Sequence, residues 1–208
     1  MELSRAVFLV GPMGAGKTTV GRALAKALNG TFLDHDDLIV ALAGCSIPEV
    51  FAQHGEPYFR QLEHDCLAAL LAHDTSRFST EQLQAAMQQV AKQYAVQQAV
   101  VGSQQPVVIA GGGGIAGRED NRALIKAHSL CLYLHLPVEV QYLRVKDDTN
   151  RPMIHVSDIK ARLRDLMEQR DPQWREIASA IVETDNSVKE IVAQCVSTLS
   201  DLNQQAQA

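Results

Sequence analysis

The chain has 208 residues, of which 46% are hydrophobic and 21% are charged, so its length fits one domain with a substantial buried core. Lys and Arg total 19 against 24 for Asp and Glu, and the net charge of −5 argues against nucleic-acid or anionic-membrane binding, which needs a positive surface. No apolar run reaches the ~20 residues of a membrane span, and the first residues lack the basic start of a secretory signal. The cysteines form no C-x-x-C pair, which favours free thiols in a reducing cytoplasm: Cys45, Cys66, Cys131 and Cys195.

Apolar runs of strand length alternate with helical patterns along the chain, which predicts an α/β fold around a parallel sheet. Strands are predicted at 6–10, 31–33, 106–110, 130–136 and 180–184. Helices are predicted at 18–28, 37–43, 47–54, 56–71 and 188–202, with another starting at 137 and a frayed tail over 203–208.

The stretch 73–105 is rich in glutamine, and its apolar residues follow a single helical stripe. Ser79 and Gln82 form a capping box, and Phe78 can pack onto Leu83 across the start of this helix. We therefore expect an amphipathic helix inserted between two core elements. Its stripe packs either on the parent domain, which we favour in a monomer, or on a second subunit: Leu83, Met87, Val90 and Tyr94.

Residues 11–18 read Gly-Pro-Met-Gly-Ala-Gly-Lys-Thr and fit the pattern G-x-x-x-x-G-K-[ST], between a predicted strand and a predicted helix. The glycines let successive backbone N–H groups curl around an anion, and the helix that follows adds its positive end. Lys17 brings charge to the β- and γ-phosphates, and the Thr18 hydroxyl is a ligand for Mg²⁺. The chain is predicted to bind a nucleoside triphosphate with Mg²⁺ through Gly14, Ala15, Gly16, Lys17, Thr18 and Thr19.

The exit of the second predicted strand carries Asp34 and Asp36, which strand alternation places on one side of the chain, with His35 on the other. The two carboxylates have two interpretations. They cap the next helix, or one holds Mg²⁺, directly or through water, while the other contacts an acceptor hydroxyl.

Three further features are also open to two interpretations. Arg60 is either a surface arginine or an anion ligand, and the glycines at 111–114 are either a flexible turn or a backbone surface that a ligand approaches closely. Arg151 lies in the polar stretch 146–158, which is either an exposed loop or a mobile lid.

Taken together, these segments resemble the shikimate kinases along almost the whole chain. The matching stretches are GPMGAGKTTVGRALAKAL, FLDHDDLI, GCSIPEVFAQHGEPYFRQLE, GGGGIAGREDNRAL, the RP of NRPM, and RDPQWREIA followed by VETD. The resemblance implies a single domain over 1–208 with a P-loop kinase fold: a parallel five-stranded sheet in the order 2-3-1-4-5, flanked by helices, with a substrate-binding region and a lid over 146–158. It also implies Mg²⁺-dependent transfer of phosphate from ATP to the 3-hydroxyl of shikimate, in aromatic amino-acid biosynthesis.

Carried over position by position, the resemblance implies how shikimate is bound. Asp36 would orient or deprotonate the attacking hydroxyl. Arg60 and Arg170 would clamp the carboxylate, because a guanidinium fork suits a planar anion. The remaining contacts would come from Glu63, which fixes an arginine, and from a pocket wall made of Gly112, Gly113, Gly114, Phe51 and Phe59.

The resemblance also implies the ATP side of the reaction. Asp34 would lie near Thr18 and Mg²⁺, and Arg144 would stack on adenine. Arg151 would reach the transferring phosphate when the lid closes, so that the catalytic set is Lys17, Asp36 and Arg151.

The chain departs from the family pattern at several places. Gly111 stands where the family usually has Thr, which predicts a looser turn, while Met153 and Trp174 replace Leu and Tyr conservatively. The segment 73–105 is longer than the resemblance leads us to expect and contains none of the candidate catalytic residues. We therefore expect deletion of residues 75–103, replaced by a short linker, to preserve phosphorylation of shikimate.

Other functions share parts of this pattern. A kinase for another small hydroxy acid, such as gluconate, would share the P-loop and the first aspartate but would not need both Arg60 and Arg170. A nucleotide-binding module without activity would usually lack one of the three catalytic residues, all of which are present. A hydrolysing nucleotide switch is disfavoured because no aspartate ends the predicted strand at 106–110.

Overall fold

A five-stranded parallel sheet forms the centre of the computed structural model, which describes residues 3, 5–94, 105–148, 156 and 158–205. The strand order β2-β3-β1-β4-β5 confirms the order implied by the resemblance. The register pairs Asp34 with Ala110 and Leu9 with Ala110, so the carboxyl ends of β1, β2 and β3 meet at one edge of the sheet. The strands are β1 (Ala6–Val10), β2 (Thr31–Asp34), β3 (Val107–Ala110), β4 (Ser129–His135) and β5 (Ala180–Glu183).

The helices agree closely with the sequence pattern where it predicted them. A kink at Gly55, with φ 79° and ψ 175°, divides the third helix where two separate helices were predicted. The fifth and seventh helices were not predicted, and the last one continues to Gln205, so the frayed tail predicted from 203 is wrong for residues 203–205. The helices are α1 (Lys17–Ala27), α2 (His35–Ala43), α3 (Ile47–Ala72), α4 (Thr80–Gln93), α5 (Glu119–His128), α6 (Val138–Val145), α7 (Ile159–Ile177) and α8 (Val188–Gln205).

Helices cover both faces of the sheet, which explains why the strands read as continuous apolar runs. Along β1, Val7 and Leu9 pack into a cluster with side chains of α1 and α8. Phe8 and Val10 face the other way, into a cluster with residues of α3, α5 and α7. In the part of the chain that the structure describes, no single helix is long and apolar enough to cross a membrane, and only α2 with α3, bent by 88°, meets that test as a pair.

The inserted helix α4 packs within the chain, as we favoured. The predicted capping box is present: Ser79 Oγ accepts from the Gln82 N–H, and Gln82 Oε1 accepts from the Ser79 N–H. The apolar face of α4 joins the cluster that contains side chains of β2 and α2. Because β2 is an edge strand, α4 helps to cover one edge of the sheet. The rest of the insertion, residues 95–104, lies outside the described residues.

This packing changes the expectation that the insertion can be deleted without consequence. Leu83, Met87 and Val90 are at most 5% exposed. Deleting the segment would uncover them and their partners in β2 and α2, such as Leu33 and Ile39. A deletion that stays folded and active is therefore not expected.

Met87→Ala is expected to lower the free energy of unfolding by about 2–5 kcal/mol, because it removes buried methylene groups and leaves a cavity. Gln89→Ala, two residues further along on the exposed face of the same helix, is the matched control and should stay within about 0.5 kcal/mol of the wild type. Urea unfolding followed by circular dichroism measures both. Equal stability of the two variants would contradict a core role for α4.

Candidate active site

The carboxyl ends of β1, β2 and β3 open into a cleft of about 820 Å³, a volume typical of small-molecule sites. The cleft brings together most of the residues that the sequence singled out. Its lining includes Gly14, Gly16, Lys17, Thr18, Thr19, Asp34, Asp36, Phe51, Arg60, Gly112, Gly113, Gly114, Arg144 and Arg170.

The loop between β1 and α1 has the backbone of an anion cradle. Gly14 and Gly16 have φ angles of 78° and 87°, which side chains rarely tolerate, and a Cβ on Gly14 would lie 2.8 Å from Val145 Cγ1. Lys17 Nζ donates to the carbonyls of Gly11 at 2.8 Å and Pro12 at 3.0 Å, so its charge is held at the loop. Ala15 is 1% exposed and does not line the cleft. The loop can therefore bind a phosphate chain.

Asp34 caps the next helix, and the same carboxylate also contacts the P-loop. As the residue before α2, it accepts from the Asp36 N–H through Oδ1 at 3.1 Å, which caps the helix. Its Oδ2 accepts from the Thr18 hydroxyl at 3.1 Å. This bond links residues 34–37, which we call the acidic turn, to the P-loop. The predicted arrangement is confirmed, since Asp34 and Asp36 line the cleft and His35 is buried. It has another cause than strand alternation, because α2 already begins at His35.

The acidic turn concentrates negative charge. Burial, together with the nearby charges of Asp36 and Asp37, raises the pKa of Asp34 to about 6, against the opposing hydrogen bonds of Thr18 and the Asp36 N–H. Burial and the charge of Glu63 raise the pKa of Asp36, while Lys17 opposes this shift. A cation beside Asp34 would relieve this repulsion.

The Thr18 hydroxyl and the Asp34 carboxylate are hard oxygen donors, which fit Mg²⁺. Mg²⁺ usually takes one or two protein oxygens and completes its shell with phosphate oxygens and water. Among the described residues, no group of three or more His, Cys, Asp or Glu side chains is arranged to hold a metal ion.

Two guanidinium groups converge at the other end of the cleft. Arg60 Nη1 donates to both carboxylate oxygens of the buried Glu63, at 3.2 and 3.1 Å, and Arg170 Nη1 donates to the Gly113 carbonyl at 3.1 Å. The two groups lie against neighbouring glycines, since a Cβ on Gly113 would be 3.4 Å from Arg170 Nη1 and one on Gly114 would be 3.0 Å from Arg60 Nη1. Burial and then the charge of Arg60 lower the pKa of Arg170. An anion between them would be stabilised by both.

The glycine turn after β3 lies directly against these side chains. A Cβ on Gly112 would be 2.6 Å from Asp36 Oδ1, and one on Gly114 would be 3.0 Å from Arg60 Nη1. At Gly111 a Cβ would be 2.6 Å from Phe8 Cε1, and the Gly111 N–H donates to the Leu9 carbonyl at 3.0 Å. We had expected a loose turn at Gly111. That expectation is wrong, because the Phe8 ring fills the space that a side chain at residue 111 would occupy.

The two phenylalanines differ in their position. Phe51 is 37% exposed and lines the cleft, whereas Phe59 is 5% exposed and lies behind it, with ring centroids 4.6 Å apart. Phe59 thus supports the apolar wall. Glu63 likewise acts from behind, through Arg60.

Arg144 ties the P-loop to the end of the sheet. Its Nη1 donates to the Gly14 carbonyl at 3.0 Å, and its Nη2 donates to the Thr184 carbonyl at 2.6 Å. Arg151 and Met153 lie outside the described residues, as does most of the predicted lid.

The sequence patterns did not identify some of the residues around the cleft. Glu56 accepts from Arg60 Nε and Nη2, and its position four residues before Arg60 on a helix was a usable signal. Arg118 Nη1 donates to the Arg60 carbonyl at 3.1 Å from a residue 58 positions away, for which no local pattern exists. Met13 lines the cleft from inside the P-loop.

Known proteins match this chain over most of its length. The family model for shikimate kinase matches residues 13–94 and 91–200. Shikimate kinase of Pseudomonas entomophila (strain L48) is 40% identical over 181 residues, covering 87% of each chain. The shikimate kinase of Halorhodospira halophila is 40% identical over 178 residues, 86% of this chain and 83% of the other.

Solved structures show the same likeness. Shikimate kinase from Acinetobacter baumannii, determined in complex with shikimate, has a TM-score of 0.74 at 34% identity and covers 96% of this chain and 95% of its own. A gluconokinase from Sinorhizobium meliloti 1021 has a TM-score of 0.52 at 16% identity, covering 100% of this chain and 98% of its own, a likeness of fold alone.

The crowding at Asp34 predicts a pH-dependent loss of stability when EDTA removes divalent cations. With a pKa near 6 in the folded protein and 3.8 in the unfolded chain, the folded state holds more protons between these values, so stability falls as pH rises through that window. Asp34→Asn keeps the acceptor for the Asp36 N–H and removes the charge. It should raise the free energy of unfolding at pH 7.5 by at most about 3 kcal/mol, with a much smaller gain at pH 4.

The exposed Asp185 provides the control, since Asp185→Asn should leave the free energy of unfolding within about 0.5 kcal/mol of the wild type at both pH values. Chemical unfolding in EDTA buffers measures all three proteins. No gain for Asp34→Asn at pH 7.5 would mean that the acidic turn is not under repulsion.

Proposed function

The chain belongs to the shikimate kinase family, and from that premise we propose that it transfers the γ-phosphate of ATP to the 3-hydroxyl of shikimate. One observation carries the assignment of the acceptor. Arg60 and Arg170 converge on the glycine turn beside Asp36, in the same cleft as the P-loop. A hydroxylated ring with one carboxylate complements this combination of two cations and one buried acid.

At the acceptor end, the carboxylate of shikimate binds between the two guanidinium groups. Glu63 holds Arg60 in place, so the fork of Arg60 is ordered before the substrate arrives. Asp36 faces the ring hydroxyls, and Phe51 supplies an apolar wall. Because Asp36 Oδ1 lies against the Gly112 backbone, a substrate hydroxyl meets a carboxylate with little freedom to move.

At the donor end, the P-loop backbone and Lys17 bind the β- and γ-phosphates, and Lys17 exchanges its contacts with loop carbonyls for phosphate oxygens. Thr18 and Asp34 are the residues that would hold Mg²⁺, which when bound neutralises charge on the phosphate oxygens. Arg144, anchored beside the P-loop, offers a flat cation for the adenine ring. The role of Arg151 over the transferring phosphate is assigned from the family resemblance.

Because the transition state of phosphoryl transfer is loose, the protein contributes mainly by aligning the two substrates and by compensating the charge on the phosphate oxygens. The shikimate oxygen bonds to the γ-phosphorus as the bond from that phosphorus to the ADP oxygen breaks. Asp36 orients the attacking hydroxyl and accepts its proton as the new bond forms. Burial raises the pKa of Asp36, which makes it a better proton acceptor than an ordinary aspartate.

An assay coupled to ADP release, with MgATP and one acceptor at a time, tests the function. Shikimate should give turnover, whereas gluconate and a water-only reaction should give at most background. Water has no carboxylate for the two arginines, and open-chain gluconate has no ring that fixes its hydroxyls relative to its carboxylate. Nuclear magnetic resonance of the phosphorylated product identifies the hydroxyl that reacts. Faster turnover of gluconate than of shikimate would reject the proposal.

Arg60→Ala should weaken shikimate binding about 10- to 100-fold, because a charge-assisted hydrogen-bond pair contributes about 1.5–3 kcal/mol. Binding of ATP should change less than about twofold, since the phosphates are held at the other end of the cleft. Arg60→Lys should recover only part of the loss, because an ammonium cannot form the fork.

Arg77→Ala is the matched control, since Arg77 pairs with Asp65 on the surface and should leave both affinities unchanged. Calorimetric titration of each variant with shikimate and with ATP gives the two constants. Equal losses for shikimate and ATP in Arg60→Ala would contradict the carboxylate clamp.

A further inference from the structure

The end of the inserted helix α4 reaches the acidic turn. Tyr94 follows the last residue of α4, and its hydroxyl donates to Asp37 Oδ2 at 2.5 Å. Gln93 Nε2 donates to the same oxygen at 3.1 Å. Asp37 directly follows Asp36 in the first turn of α2. The insertion therefore makes a polar contact one residue away from the proposed catalytic carboxylate.

The ring of Tyr94 is held by elements that lead into the site. It packs edge-on against Phe32 of β2, with centroids 4.9 Å apart and planes at 87°, and the Arg22 guanidinium of α1 lies 5.5 Å from its centroid. Phe32 in turn lies against Gly21 of α1, where a Cβ would be 2.5 Å from Phe32 Cε2. Because these contacts fix the ring, they also fix the direction of its hydroxyl.

The charge of Asp37 matters for its neighbours, since it raises the pKa values of both Asp34 and Asp36. Among the described residues, Asp34 and Asp36 line the cleft, whereas Asp37 does not. Burial and the bond to Asp37 raise the pKa of Tyr94, so its hydroxyl remains a donor at neutral pH. Two donors thus hold the Asp37 carboxylate on the side of α4.

We propose that Tyr94 is a positioning residue for the phosphotransfer, which holds the first turn of α2 through Asp37 and thereby sets Asp36 against Gly112. The inference rests on the proposed function, because it assigns Tyr94 to the same reaction. The inserted segment then belongs to the working frame of the active site, although none of its described residues lines the cleft.

Tyr94→Phe tests the inference, because it keeps the ring contacts and removes only the hydroxyl. The ratio kcat/KM for shikimate should fall about 10- to 100-fold, the range expected when a reacting group is displaced. The KM for ATP should change less than about twofold, because the P-loop holds the phosphates. The control is Tyr58→Phe, whose lost hydroxyl accepts a bond from Arg77 at the surface, and all constants should be unchanged.

A double-mutant cycle separates action through Asp37 from any other effect of Tyr94. Asp37→Ala removes the acceptor of both Tyr94 and Gln93 and should lose at least as much as Tyr94→Phe. The variant carrying both changes should be no worse than Asp37→Ala alone. Asp37→Asn keeps an acceptor for the hydroxyl and should retain most of the activity. Losses that multiply in the double variant would overturn the inference.

Unfolding curves are measured for the same proteins. A lower stability of Tyr94→Phe with unchanged kcat and KM would show a purely structural contact and overturn the positioning role. Wild-type activity on shikimate combined with unchanged constants in Tyr94→Phe would reject this inference alone. A wild type that does not phosphorylate shikimate would reject the proposed function and this inference together.

Discussion

The packing of the Asp36 carboxylate against the Gly112 backbone joins the two halves of the cleft. The parallel register of β2 and β3 places Asp34 beside Ala110, so the acidic turn and the glycine turn leave the sheet side by side. A side chain at residue 112 would enter the space of Asp36 Oδ1. This contact therefore sets the Asp36 carboxylate at the glycine turn, in the cleft that the P-loop and the two arginines also line.

Like charges crowd each end of the same cleft. Burial and neighbouring carboxylates raise the pKa of Asp34, and burial with a neighbouring guanidinium lowers the pKa of Arg170. Each shift means that the charged form of the side chain is less stable in the folded protein than in the unfolded chain. Such arrangements concentrate at functional sites, because a ligand of opposite charge relieves the repulsion at each end. A cation beside Asp34 and an anion beside Arg170 would each relieve this repulsion.

Local features of this site could be predicted from the sequence, whereas contacts between distant residues could not. The P-loop is a contiguous pattern whose chemistry follows from its glycines, lysine and threonine. The capping box at Ser79 is equally local. In contrast, the bonds from Tyr94 to Asp37 and from Arg118 to Arg60 span 57 and 58 positions, and no periodicity encodes such partners. Gly111 was misjudged for the same reason, because the ring that fills its neighbourhood comes from β1.

The inserted helix has two separable effects on the active site. Its apolar stripe buries Met87 and Val90 against the edge of the sheet, and this stabilises the elements that carry the aspartates without touching them. Its last residues bind Asp37 directly, and this restrains the turn in which the aspartates stand. Substituting Met87 or Val90 lowers activity by reducing the fraction of protein that is folded, whereas substituting Tyr94 lowers the activity of the folded protein itself. The Tyr94 ring also contacts Phe32 of β2 and lies near Arg22 of α1. The end of α4 is therefore packed against the two elements that carry Asp34 and Lys17. The insertion therefore contacts both the core at the edge of the sheet, through Met87 and Val90, and the acidic turn, through Tyr94.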